Sequence, residues 1–347
     1  MTGGFDSFLA LPERDRRDVF EEAASRLDTL PHYVEKDFWV CLVLDALFNR
    51  RPEGHPSLFF KGGTSLSKAF GLISRFSEDI DLVVSRDGLG FEGERDPTVA
   101  SQLSNKKRPA LFNELRSACS GYIRGALRTA LTSRIDELSV SCQTVPDQGD
   151  VDGQTLFLDY STLFPGGGAT YVVPRVKIEA GARSALEPIQ GCAVAPFIAD
   201  ELPDWSFASE GIRVISPERT YWEKLLILHG AHCGFRDVGR LPARKDRISR
   251  HYYDVAMITA TETGRSAMAD IHLLDLVRNH NLVAFRQSWK RFEEAVPGSV
   301  RLVPQAELRA VIERDYRAMR GMILGEAPDF GWVTDQLRVA EAAVNGT

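Results

Sequence analysis

The chain has no long apolar run. Nothing in it approaches the roughly 20 consecutive apolar residues that span a bilayer, so no membrane-crossing helix is expected among its 347 residues. Its opening stretch, Met1 to Asp6, lacks a basic segment followed by a hydrophobic one, and no signal peptide is expected. Cysteine is scarce. Cys41, Cys119, Cys142, Cys192 and Cys233 form an odd, scattered set without paired spacing, which argues against a disulfide framework or a zinc cage and suits a reducing cytoplasm. An excess of positive charge is missing too: the formal net charge is −6, so any polyanion must be met by a local basic patch. Repeats and low-complexity segments are absent. The hydrophobic (44%) and charged (26%) fractions are ordinary for a globular chain, which excludes wholesale disorder.

The length accommodates two domains with proper cores. Helical periodicity predicts helices over Pro12–Leu27 and Val34–Phe48, and Ser57–Phe60 reads as a short buried strand ended by Gly62-Gly63. Thr64–Phe70 follows as one or two helical turns with Thr64 as N-cap, and Ile80–Val84 reads as a second strand. Asp87–Arg108 reads as a surface loop and Ala110–Leu131 as a helix. Strand-like runs follow at Ser139–Cys142, Thr155–Asp159 and Tyr171–Ala180. From Ser216 onward the pattern is helical, over Pro217–Ala231, Arg250–Ala260, Ala269–Asn279, Gln305–Leu324 and Trp332–Val344. The expected fold class is therefore α+β, a mixed sheet followed by an all-helical part, with a boundary near Glu210.

Strand, Gly62-Gly63, then helix is a geometry that offers backbone N–H groups and helix-dipole charge to phosphate. Lys61 or Lys68 can add positive charge. In Ser77-Glu-Asp-Ile-Asp-Leu-Val-Val84, Asp79 and Asp81 stand at i and i+2 of a strand, so both point to one face while Ile80 and Leu82 point to the other. Adjacent like charges bring a sheet no structural gain. A hard divalent cation such as Mg²⁺, which seeks carboxylate oxygens, removes the repulsion. An acidic pair one short helix after a glycine turn therefore points to metal-assisted phosphate chemistry.

Lys61-Gly-Gly-Thr-Ser-Leu-Ser-Lys-Ala-Phe-Gly71 with Arg75-Phe-Ser-Glu-Asp-Ile-Asp-Leu82 closely resembles the AbiEii/AbiGii-type nucleotidyltransferase toxins, within the DNA polymerase β-type superfamily, a family that includes MenT-type enzymes. The resemblance runs on through Pro31–Trp39, Pro174–Arg183, Ser216–Lys224, Ser249–Asp254 and Asp315–Met319. It implies a nucleotidyltransferase domain over 1–210, N-terminal helices included, and a helical domain over 211–347 that completes the active-site cleft. It implies NTP as substrate and two Mg²⁺ ions on Asp79, Asp81 and Glu179, with Lys61, Gly62, Gly63, Thr64, Arg75, Ser77 and Lys224 around the nucleotide. From the residues alone, Glu179 reads equally well as facing the same cleft as Asp79 and Asp81 or as a surface residue paired with Lys177 or Arg183, and Lys224 is a stem-packed lysine beside Tyr221 and Leu228. The resemblance makes Glu179 a third ligand or general base, turns the Lys224 ammonium toward the triphosphate, and puts Asp254 on the site's rim, holding Lys224 or Arg250. It also implies that Ser77 can accept a phosphoryl group in an autoregulatory step.

His229, His232 and Cys233 lack a fourth ligand, and a zinc site is not expected there. Basic residues cluster in two islands: Arg236, Arg240, Arg244, Lys245, Arg247 and Arg250, and Lys106, Lys107, Arg108, Arg116, Arg124 and Arg128. In an acidic chain these are where an RNA backbone would land. The function implied is that of a cytoplasmic toxin from a bacterial toxin–antitoxin or phage-defence pair, transferring NMP to the 3′ end of tRNA. Its cognate antitoxin is a partner with or without stable direct contact. Transfer to a protein, phosphoryl transfer to an antitoxin, a small-molecule acceptor and a catalytically inactive binding module are the competing readings.

Overall fold

A computed structural model describes residues 4–99, 103–104, 106–138, 140–165, 173–241 and 247–346. Two compact units emerge. The first takes residues up to Ala69 and Phe76–Val214, the second Phe70–Arg75 and Ile215 onward.

The first unit opens with helices α1 (Phe5–Leu9), α2 (Glu13–Arg26) and α3 (Pro31–Asn49). Pro31 starts α3 at a position where a missing N–H costs nothing. Phe8 and Phe38 are fully buried, their ring centroids 5.0 Å apart, with Phe5, Phe20 and Phe207 around them. Burying each such ring stabilises the fold by about 2–3 kcal/mol. Next come β1 (Leu58–Lys61), α4 (Gly62–Lys68) and β2 (Asp79–Val84). A long helical stretch follows, α5 (Lys107–Tyr122) and α6 (Arg128–Asp136) joined by a π-helical turn. The unit continues with β3 (Cys142–Pro146), β4 (Thr155–Tyr160), β5 (Arg175–Gly181), β6 (Ile189–Val194) and β7 (Ser209–Ile215).

The seven strands form one mixed sheet in the order β3-β4-β5-β2-β1-β7-β6. β1 runs antiparallel to β2, β2 parallel to β5, and β4 antiparallel to both β3 and β5. Strict alternation in β5, with Val176, Ile178 and Ala180 buried between half-exposed residues, gives one face to the core and the other to chemistry.

Among its described residues the second unit is helical: α7 (Pro217–Val238), α8 (Ser249–Thr259), α9 (Glu262–Ala269), α10 (Ile271–Ala284), α11 (Ala306–Met319) and α12 (Phe330–Asn345). Ser216 caps α7 by accepting from the Arg219 N–H, and Pro217 takes its first position. Segment Phe70–Arg75 joins this unit through an Arg75–Ile323 bridge and the Leu324 N–H, which donates to the Ser74 carbonyl at 2.8 Å.

The expected α+β class is what the structure has. Several boundaries differ. The strand expected over Ser139–Cys142 is Cys142–Pro146, and Ser139 lies outside the described residues, as do Tyr171 and Val172 of the run expected to continue into β5. The helix expected over Ala269–Asn279 is α10, which starts at Ile271 because Asp270 caps it by accepting from Leu273 N–H at 2.9 Å, and α9 before it was not expected. No helix among the described residues is long and apolar enough to cross a membrane.

Candidate functional site

Strand register builds the charged face of the first unit. Lys61 of β1 stands opposite Asp81 of β2, and Asp81 stands beside Glu179 of β5. One row along, Asp79 neighbours Lys177. Side chains at such paired positions lie about 5 Å apart at Cβ, so three carboxylates and two ammonium groups share one patch of sheet. Asp79 and Asp81 are half-exposed while Ile80 and Leu82 between and after them are buried. The Glu179 carboxylate is engaged by Lys177, 2.7 Å away. Burial works against the charge on Lys177, but Glu179 and Asp79 outweigh it and hold its pKa above the ordinary value. Glu179 thus makes the lysine pairing that the residues alone allowed.

Gly62 makes the close approach possible. Its φ is +83°, and a Cβ there would lie 2.0 Å from Asp81 Oδ2. Only a residue without a side chain lets the Asp81 carboxylate lean over the turn into α4. Thr64 is not the N-cap of α4; that position belongs to Lys61, and Thr64 is the third helical residue. Thr64 is buried, its hydroxyl 2.9 Å from Ser77 Oγ and 2.5 Å from the Asp79 carbonyl. It clips the glycine turn to the beginning of the acidic strand. Lys61 donates to Ser184 Oγ at 3.2 Å. Lys68 is not a phosphate-facing charge: its side chain packs against Asp37, 2.8 Å away, and its ammonium lies over the Phe197 ring.

The residues that hold this arrangement lie in Pro31–Trp39, a segment the resemblance included without giving them a role. Glu35, Lys36 and Asp37 are consecutive on α3 and all buried. Glu35 accepts from the Thr162 hydroxyl and the Leu163 N–H, Lys36 donates to Glu78 at 2.6 Å, and Asp37 pairs with Lys68 and accepts from Phe197 N–H. One helical turn therefore ties down the loop after β4, the residue before Asp79 and the helix after the glycine turn. Three ionisable residues in a row inside an apolar helix were the available signal.

In the second unit, Asp254 of α8 is fully buried and gripped by two cations. Arg75 donates from Nε and Nη2 to its two oxygens at 2.7 and 2.8 Å, and Lys224 of α7 lies 2.8 Å from Oδ2. Burial alone would raise the Asp254 pKa, but Arg75 and Lys224 outweigh it and hold the carboxyl well below its usual range. Lys224 is 6% exposed, and its ammonium sits on Asp254, one of the two pairings the resemblance implied for that aspartate. Burial lowers its pKa, and the positive charges of Arg75 and Arg250 add to the effect. His251 is likewise pushed well down, first by burial and then by Lys224 and Arg250. One carboxylate among three permanent or titratable cations leaves the cluster short of negative charge.

The first basic island is partly spent internally. Arg236 pairs with Asp237 and Glu294 at 2.8 Å each, while Arg247 uses its main-chain N–H, not its guanidinium, to donate to Asp315 at 2.9 Å. Arg240 is exposed, Arg250 belongs to the Asp254 surroundings, and Arg244 and Lys245 lie outside the described residues. In the second island Arg108 donates to the Pro97 carbonyl, Arg116 pairs with Asp152 and Arg128 donates to the Thr144 carbonyl. His229 has both ring nitrogens engaged, Nδ1 accepting from Arg301 N–H at 3.1 Å and Nε2 lying 3.3 Å from the Arg291 carbonyl.

The chain is a nucleotidyltransferase by family: a model of the nucleotidyl transferase AbiEii toxins of type IV toxin–antitoxin systems matches residues 45–338. It belongs to the AbiEii toxin family. Among solved structures it is similar to MenT4, a nucleotidyltransferase toxin from Mycobacterium tuberculosis H37Rv, at 16% sequence identity and a TM-score of 0.49, over 97% of this chain and 91% of that one. No curated protein matches it significantly.

Proposed function

We propose that this toxin transfers NMP from an NTP to the 3′ end of tRNA with Mg²⁺ held by Asp79 and Asp81. The observation that carries the reading is Gly62: its positive φ and missing Cβ let the Asp81 carboxylate press against the turn that opens α4. The donor set suits a hard cation, two half-exposed carboxylates on one strand face. Among the described residues no three His, Cys, Asp or Glu side chains are already grouped to hold a metal ion. Glu179 becomes a third ligand only by exchanging Lys177 for the metal. Bound there, Mg²⁺ would supply Lewis-acid activation of the acceptor hydroxyl and charge neutralisation at the phosphates.

The chain's own groups divide the remaining work. The Gly62 and Gly63 main chain, at the start of α4, approaches phosphate oxygens closely, and Lys61 adds charge. Thr64 and Ser77 keep that turn docked on Asp79. In the second unit, the excess positive charge around Asp254 suits a polyphosphate. There Asp254 orients Arg75 and Lys224, whose charges would offset those of phosphate oxygens. The growth arrest would follow from tRNA that can no longer be aminoacylated.

Labelled transfer decides. The purified chain is given each labelled NTP with bulk tRNA, protein or small-molecule acceptors, alongside Asp79→Asn and Asp81→Asn. Transfer to tRNA is expected, falling at least a thousandfold in either variant, about 4 kcal/mol of transition-state stabilisation. Mg²⁺ is expected to raise the wild-type melting temperature and leave the double variant unmoved. Full activity in either folded variant would end the metal assignment, and label on protein alone would end the tRNA one.

A further inference from the structure

The first unit carries a separate concavity of about 830 Å³, walled by the α1–α2 corner, residues 140–141 and the loop after β4. Arg14, Arg16, Arg17, Ser141, Ser161 and Thr162 line it, and Glu13 is the one carboxylate among the lining residues. Arg16 is only 8% exposed, and its Nε has no hydrogen-bond partner among the described residues. The neighbouring carboxylate, Glu35, already accepts from the Thr162 hydroxyl at 2.5 Å and the Leu163 N–H at 2.8 Å. A buried guanidinium donor without an acceptor is costly unless a ligand supplies one. Arg17 donates to the Leu163 carbonyl at 2.7 Å and stacks on Phe164, which fixes the loop that presents Ser161, the Thr162 proton being given to Glu35. Arg14 is exposed and makes no hydrogen bond or ion pair with the described residues.

Guanidinium forks and hydroxyls together match the several oxygens of a phosphate better than the two of a carboxylate. Register supplies the position. Asp79 pairs with Lys177, Lys177 pairs with Phe157 of β4, and Ser161 lies four residues further along. Two strand spacings and four residues of rise put Ser161 about 16 Å from Asp79. We propose that this pocket is a phosphodiester site that holds the acceptor RNA a few nucleotides upstream of its reacting 3′ end. The inference rests on the RNA-acceptor reading above.

Two probes test it on the full chain: inorganic phosphate, read by thermal shift, and a single-stranded RNA oligonucleotide of tRNA 3′-end sequence, read by equilibrium binding over a salt series. Phosphate is expected to raise the wild-type midpoint and to leave Arg16→Gln unmoved. Arg14→Gln and Arg16→Gln are each expected to weaken RNA binding about tenfold and flatten the salt slope by about 0.7 per lost contact. In transfer assays the KM for RNA should rise with kcat and the KM for NTP unchanged, and Arg16→Lys should recover part of the loss. Unchanged RNA affinity and slope in the folded variants overturn the proposal. Should Arg16→Gln fail to fold, the exposed Arg14→Gln decides alone. If the wild type labels no RNA yet phosphate stabilises it and not the variants, the acceptor reading has failed while the pocket still binds phosphate. If RNA is labelled and both variants behave as wild type, the pocket inference alone has failed.

Discussion

At the scale of single residues, the first unit depends on an absence, the missing side chain of Gly62. Two independent penalties apply to any replacement: a left-handed φ of +83° and a Cβ 2.0 Å from Asp81 Oδ2. Strained backbone of this kind costs on the order of 1–3 kcal/mol, and relief of the clash would have to displace the carboxylate. Gly62→Ala is therefore expected to lower the melting temperature and to remove transfer activity, whereas Gly71→Ala, with a similar φ and open space around it, should lower stability alone. Equal activity in the two variants would show that Asp81 need not lean on the turn. The acidic pair itself was legible in the sequence, because period-two alternation fixes which way Asp79 and Asp81 point. The partner of Glu179 was not: Lys177 and Glu179 share a face by the same alternation, and whether the carboxylate meets a lysine or a metal depends on side-chain torsions that alternation does not constrain. Thr64 was misassigned for a related reason. A threonine after a glycine pair looks like an N-cap, but the helix starts at Gly62 and turns the hydroxyl toward β2.

At the scale of elements, α3 shows how a helix can organise a site without contributing to it. Glu35, Lys36 and Asp37 each reach a different segment, so their charges are fixed by partners far away in sequence. Burial raises the Asp37 pKa even though Lys68 opposes it, which marks the pair as one that needs both members. Removing one partner of a buried pair leaves an uncompensated charge and costs about 3–5 kcal/mol, while replacing both by apolar groups can be nearly neutral. Asp37→Asn is accordingly expected to destabilise strongly, and Asp37→Leu with Lys68→Met to regain most of the loss. Urea unfolding of the three proteins checks this, and a double variant as unstable as the single one would contradict it. Long helices were readable from their apolar stripes, and β1, β2 and β5 from buried runs or alternation. β6 and β7 were not anticipated. β6 is an edge strand, with Ile189, Gln190, Gly191, Cys192 and Ala193 all partly or fully exposed, so it carries no alternating signal. α9 was missed because its eight residues bury only Gly264 and Ala267, small residues that make no apolar stripe.

On the scale of the whole molecule, the Arg75, Lys224 and Asp254 cluster unites residues up to 179 positions apart, a juxtaposition no local pattern reports. Family resemblance pointed to each of the three and offered Lys224 as a partner of Asp254, but not the Arg75 contact. The same helical unit predicts an acid sensitivity that is separable from that cluster. Burial pushes His229 down to about 4, and it also lowers His232 and His251. Neutral His229 is held on both sides, Nδ1 accepting from Arg301 N–H and Nε2 facing the Arg291 carbonyl, so a second proton would have to displace the Arg301 donor. In the unfolded chain it titrates near 6.5. Between those values the unfolded state binds more protons, so stability must fall as pH drops through 6.5 and stop falling from this source below about 4. At pH 5 the His229 share is about 2 kcal/mol. The low pKa of Asp254 acts elsewhere: its stabilisation is complete above the ordinary aspartate value and is lost only below it, outside a comparison of pH 7 with pH 5. His229→Gln keeps an acceptor and a donor without the titration. It should shrink the loss of unfolding free energy between pH 7 and pH 5 by about 2 kcal/mol relative to wild type. Urea melts at the two pH values measure this directly, and an identical pH dependence in both proteins would mean that His229 is not held neutral in the folded chain.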